Sequence, residues 1–74
     1  MLAVSVAFGQ RLRELRTAHG VSQDQLARET GIHSTAVGRF EHGAREPRLR
    51  SILRLADGLG VKPGVLLDPL VADD

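Results

Sequence analysis

Residues 22–43, SQDQLARETGIHSTAVGRFEHG, constrain this chain more than any other stretch. Ser22 with Gln25 three residues on is a capping box: the serine oxygen takes a first-turn N–H, and the glutamine reaches back to the serine's own amide. The spacing predicts a short helix opened by Ser22, with Leu26 and Ala27 on its buried side. Gly31 stops it, because a helix end often turns through a left-handed residue, which glycine adopts without a Cβ clash. A second short helix is expected from about Ser34 to His42, with Val37 and Phe40 inward, Ile32 packing just ahead of it and Gly43 closing it. Its other side carries only small polar groups and one arginine.

Two helices joined by a tight turn, the second lean enough to enter a groove, follow a helix-turn-helix plan. The rest of the chain reads the same way. Phe8, Leu12, Leu15 and His19 form one stripe of a first helix that Gly20 stops. After the loop Ala44-Arg45-Glu46-Pro47, a fourth helix is expected over Leu49–Leu59, with Leu49, Ile52, Leu53, Ala56 and Leu59 as its apolar stripe and Leu55 alongside. Gly60 ends it, and Pro63 suits the first turn of a short fifth helix ending near Asp68-Pro69. Leu2, Val4, Val6 and Phe8 alternate with small residues, so residues 1–7 are either an extended arm or an extension of the first helix. The expected organisation is that segment, a domain over 8–69 and an acidic tail over 70–74.

A chain of 74 residues holds one domain near the lower limit of an unaided core. With no cysteine there is no disulfide framework and no thiolate metal site, and a reducing, cytoplasmic setting is expected. No apolar run approaches membrane-spanning length. The start MLAVSVAF lacks a basic n-region, so no secretory leader is expected. The net charge of +1 hides an asymmetry. Residues 1–56 hold nine arginines against five carboxylates, and residues 57–74 hold Lys62 against four aspartates. A basic body with an acidic end suits a polyanion on one face.

The ordered set Gly20-Val21-Ser22-Gln23, Leu26-Ala27, Gly31-Ile32, Val37, Phe40-Glu41, Gly43, Pro47 and Leu55-Ala56-Asp57-Gly58-Leu59-Gly60-Val61 resembles the lambda-repressor-like family, the Cro and phage-repressor type of helix-turn-helix protein. The resemblance covers residues 8–68 and implies an all-α, compact five-helix domain that binds double-stranded DNA, usually as a two-fold dimer. This chain departs from the family at Arg48 and Lys62, where a serine-like cap is usual. Neither can cap through a side-chain oxygen, which loosens each helix start by about 1 kcal/mol. Gly38, inside the third helix, costs about 1 kcal/mol relative to alanine; it either makes space for close approach to DNA or is a neutral surface glycine.

By this resemblance Ser34, Thr35, Gly38 and Arg39 face base edges, and their spacing places them together opposite Val37 and Phe40. Arg39 can donate twice to guanine, or it contacts a phosphate. Ser22 and Gln23 at the start of the second helix, with His42, Arg45 and Arg48 on the far side, are the phosphate candidates. For Arg50 a solvated position is expected. The family also implies an ion pair between Arg16 and Glu41 that pins the third helix to the first. Val61, Val65, Leu66, Leu67, Leu70 and Val71 exceed what a short helix can bury, so a homodimer is expected through the C-terminal helix, with the N-terminal arm as a second surface; the alternative is core closure by the fifth helix and a monomer.

An enzyme is not expected: His19, His33 and His42 lack metal-ligand spacing, and no nucleophile–base set can be assembled. No cofactor or metal is implied. The rival reading is a protein-interaction role, such as an antitoxin that binds a toxin through the apolar ends of the chain, because the same fold serves both.

Overall fold

The computed structural model of the chain describes residues 3–70. Five helices run as α1 Val4–Ala18, α2 Gln23–Thr30, α3 Ser34–Glu41, α4 Leu49–Gly58 and α5 Pro63–Leu67, followed by a 3-10 turn at Asp68–Leu70. No strand occurs among the described residues. The all-α, five-helix expectation holds.

Each boundary has a local cause. The capping box at Ser22 is complete: Ser22 Oγ accepts from Gln25 N at 3.1 Å, and Ser22 N donates to Gln25 Oε1 at 3.0 Å. α2 ends at Gly31, whose φ of 75° lies in the left-handed region. The hydroxyl of Thr30 donates to Leu26 O and accepts from Ile32 N, so the turn into α3 is fastened by a side chain as well. Arg48 and Lys62 stand at the N-caps of α4 and α5 and make no side-chain cap. Pro63 opens α5.

One core joins all five helices. Phe8 and Leu12 of α1, Leu26 of α2, Val37 and Phe40 of α3, Leu55 and Ala56 of α4 with Leu59 at its C-cap, and Leu66 of α5 are buried together. α1 and α3 approach closely because residue 9 is glycine. A Cβ there would collide with Phe40 O and sit 2.6 Å from Glu41 O. Arg11 ties α1 to α5 by donating from Nε to Val65 O at 2.9 Å.

Several expectations need correction. Residues 4–7 are helical, so the extended-arm alternative fails there, while Leu2 and Val71 lie outside the described residues. A fifteen-residue helix with a packed face outweighs a short period-two pattern. Leu70 ends the 3-10 turn and packs on the core, so it does not open a tail. On α4 the buried side is Ile52, Leu55, Ala56 and Leu59; Leu49 is 71% exposed and Leu53 49%. The apolar stripe of α4 was expected too far round the helix.

Candidate nucleic-acid interface

α3 owes its position to Val37 and Phe40, both buried against the core. With these two fixed, helical geometry turns Ser34, Thr35 and Arg39 to the opposite side, where all three are exposed. Arg39 in the last turn also complements the helix dipole. Gly38 is half-buried and lies against Gln23: a Cβ at 38 would meet Gln23 Oε1 at 3.6 Å. Its neighbour in the structure is therefore the start of α2.

Behind α3 lies a charged network. Glu41, whose side chain is only 3% exposed, accepts from Arg16 through both of its oxygens: Oε2 from Nε, and Oε1 from Nη2 at 3.0 Å. This is a two-pronged pair, the strongest geometry open to arginine and a carboxylate. Arg16 also donates from Nη1 to Val21 O at 2.9 Å. The hydrogen bond and the charge of Glu41 raise the Arg16 pKa above its ordinary value, against the opposing effect of burial. The same Glu41 Oε1 accepts from Gln23 Nε2 at 3.1 Å. One carboxylate thus joins α1, α2 and α3.

The phosphate candidates flank the α3 edge on two sides. Ser22 is exposed, and its oxygen serves as acceptor in the cap of α2. Gln23 is half-buried beside α3. On the other side His42, Arg45 and Arg48 are exposed. Arg45 stands with its guanidinium carbon 6.0 Å from the Phe40 ring centre, a weak cation–π contact that limits where it can swing. Arg45 and Arg48 line an open cleft of about 590 Å³ together with Phe40, Glu46, Leu49, Arg50, Ser51 and Arg54. Sequence reasoning set Arg50 aside and did not consider Arg54. The signal was present, since 50 and 54 lie one turn apart on α4 and flank Ser51, but only the fold brings them to Arg45. Four arginines and one glutamate around a cleft next to α3 make a strongly cationic wall.

Leu66 is fully buried, and Val61, Val65, Leu67 and Leu70 are half-buried. The exposed large apolar side chains among the described residues are Val4, Leu49 and Leu53. A small apolar groove of about 150 Å³ is lined by Val4, Phe8, Pro47, Ile52, Leu67 and Leu70, with Ser5 and Glu46. The spare apolar surface comprises Leu49 and Leu53 of α4 and the groove where the start of α1 meets Leu67 and Leu70, while Leu66 closes the core. No helix among the described residues is long and apolar enough to cross a membrane. No group of three metal-ligating side chains occurs among them either.

A helix pair fastened by a cap, a left-handed glycine and the Gln23–Glu41 hydrogen bond, with the second helix exposed on its outer edge, defines the helix-turn-helix class. A family model described as a helix-turn-helix domain matches residues 7–70, and the chain belongs to that family. It is similar to the control protein C.BamHI of Bacillus amyloliquefaciens, 36% identical over 66 residues that cover 88% of this chain and 82% of that protein. It is also similar to a prophage-derived HTH-type transcriptional regulator, YonR of Bacillus subtilis, 40% identical over 60 residues. That match covers 81% of this chain, which spans only 56% of YonR. The crystal structure of the restriction-modification controller protein C.AhdI from Aeromonas hydrophila superposes with a TM-score of 0.82 at 50% identity, covering 84% of this chain and 94% of that one.

Proposed function

We propose that this chain is a sequence-specific, double-stranded DNA-binding transcriptional regulator that inserts α3 into the major groove. Family membership leads to regulation of transcription through DNA, and the relatives covered at 82% and 94% of their length are a control and a controller protein. The observation that carries the finer reading is the open edge Ser34–Thr35–Arg39 between Gln23 on one side and the arginine cleft on the other. Arg39 reads a base edge, and Gln23, Arg45, Arg48 and Arg54 hold phosphates. The chain acts without catalysis or cofactor, in the cytoplasm, as a repressor that occupies its operator.

A two-fold dimer is part of the proposal, with its interface moved from α5 to α4. Leu49, Leu53 and Asp57 follow one another at four-residue steps, and Arg50 lies beside that row. Two antiparallel copies of α4 meeting at Leu53 would bring Arg50 near Asp57 of the partner subunit at both ends. Such a dimer reads half-sites about 34–36 Å apart.

Selection of bound duplexes from random DNA, followed by mobility shifts at about 50 and 200 mM salt, tests the reading. A palindromic consensus and a steep loss of affinity with salt are expected. Absence of any salt-dependent DNA binding would leave the protein-partner role, an antitoxin for example, as the surviving interpretation.

A further inference from the structure

We propose that Glu41 is a positioning residue for DNA contact: it holds the Gln23 carboxamide in one orientation, so that the amide's second N–H is presented to a phosphate. This rests on the DNA-binding reading above.

An ionised carboxylate has acceptors only, so the group of Gln23 that faces Glu41 must be the NH₂. The 3.1 Å contact from Nε2 to Oε1 therefore fixes which way round the amide lies. Oε1 of Gln23 is turned toward Gly38, where a Cβ would meet it at 3.6 Å. A residue with a longer side chain at 38 would compete for that space. Nε2 carries two hydrogens, and the bond to Glu41 uses one; no other side-chain hydrogen bond of Gln23 is formed among the described residues. The unused N–H belongs to a side chain at the first residue of an eight-residue helix, beside the exposed edge of α3.

A buried carboxylate near a phosphate backbone would ordinarily repel it. Here Arg16 neutralises Glu41 through two contacts and is itself anchored on Val21 O. The donor is thus presented by a neutral pair. Fixing a glutamine rotamer during folding removes an ordering cost from the binding step. Glutamine at 41 has one acceptor oxygen where Glu41 serves three donors. The charged Arg16 keeps that oxygen, and Gln23 is released or turned over.

A double-mutant cycle on affinity for a selected duplex is the test, with every variant measured below its own melting transition. Gln23→Ala is expected to weaken binding about tenfold, the usual scale for a hydrogen bond to a charged group. Glu41→Gln is expected to weaken it about fivefold in the wild-type background and to have no further effect in Gln23→Ala. Losses that multiply, to about fiftyfold in the double variant, would overturn the proposal and leave Glu41 a purely structural residue. Where Glu41→Gln does not fold, solvent exchange of side-chain amide protons in the free wild type decides. Gln23 must exchange more slowly than exposed Gln10, and equal rates reject the idea. A wild type that binds no duplex refutes the DNA reading itself.

Discussion

Glu41 and Arg16 contribute to stability because both are withdrawn from water: with 3% and 13% of their side chains exposed, neither charge can be left alone without cost. Surface pairs contribute little, and the single Arg11–Glu14 contact at 3.8 Å, with Glu14 in solvent, is such a pair. Glu41→Ala strands the Arg16 guanidinium and is expected to destabilise the fold by about 3–5 kcal/mol. For a domain of this size that lowers the melting temperature by at least about 12 °C. Thermal melting checks it, and a shift of only a few degrees would remove the structural role. Arg45 is a different case, being exposed and held only by the face of Phe40. Arg45→Ala is expected to weaken all DNA sequences alike and to flatten the salt dependence by about one unit of slope. A fluorescence titration over a salt series measures it, and an unchanged slope excludes Arg45 as a phosphate ligand.

At the scale of elements, the placement of α3 depends on a clearance that only glycine provides. The carbonyl oxygens of Phe40 and Glu41 lie where a side chain at residue 9 would begin. In an open helix Gly→Ala stabilises by about 1 kcal/mol. Here Gly9→Ala is expected to destabilise by about 1–3 kcal/mol, because backbone atoms of α3 must move to admit the methyl group. Denaturant unfolding of the variant gives the sign directly, and a gain in stability would show that α1 and α3 can separate without loss. Sequence periodicity found α1 through its stripe but gave no sign that Gly9 was a contact, because a glycine in a helix reads as a simple weakness. The capping box at Ser22 was legible for the opposite reason: both partners lie within four residues, and the chain alone brings them together. The stripe of α4 was read only in part. Leu49 and Leu53 fit a periodic pattern as well as Leu55 does, and the neighbouring helices decide which of them is covered.

For the whole molecule, the exposed Leu49 and Leu53 of α4 carry the proposed dimer contact. Leu53→Asp leaves the core untouched, since Leu53 is half in solvent already. It is expected to shift the protein from dimer to monomer in sedimentation equilibrium and to weaken operator binding more than binding to a single half-site. A variant that remains dimeric would return the interface to another face.

Local chemistry settled much of this protein in advance: the helix starts and stops, the turn between α2 and α3, and the bare polar edge at Ser34, Thr35 and Arg39 all follow from residues a few positions apart. The Arg16–Glu41 pair was expected only through family resemblance, because twenty-five positions separate its members. Tertiary packing alone decided that Gln23 joins that pair, that Arg50 and Arg54 share a cleft with Arg45, and that the spare leucines lie on α4. The physical reason is the same in each case. A helix offers several faces to the solvent, and which one is covered depends on neighbours that the linear order of residues does not bring together.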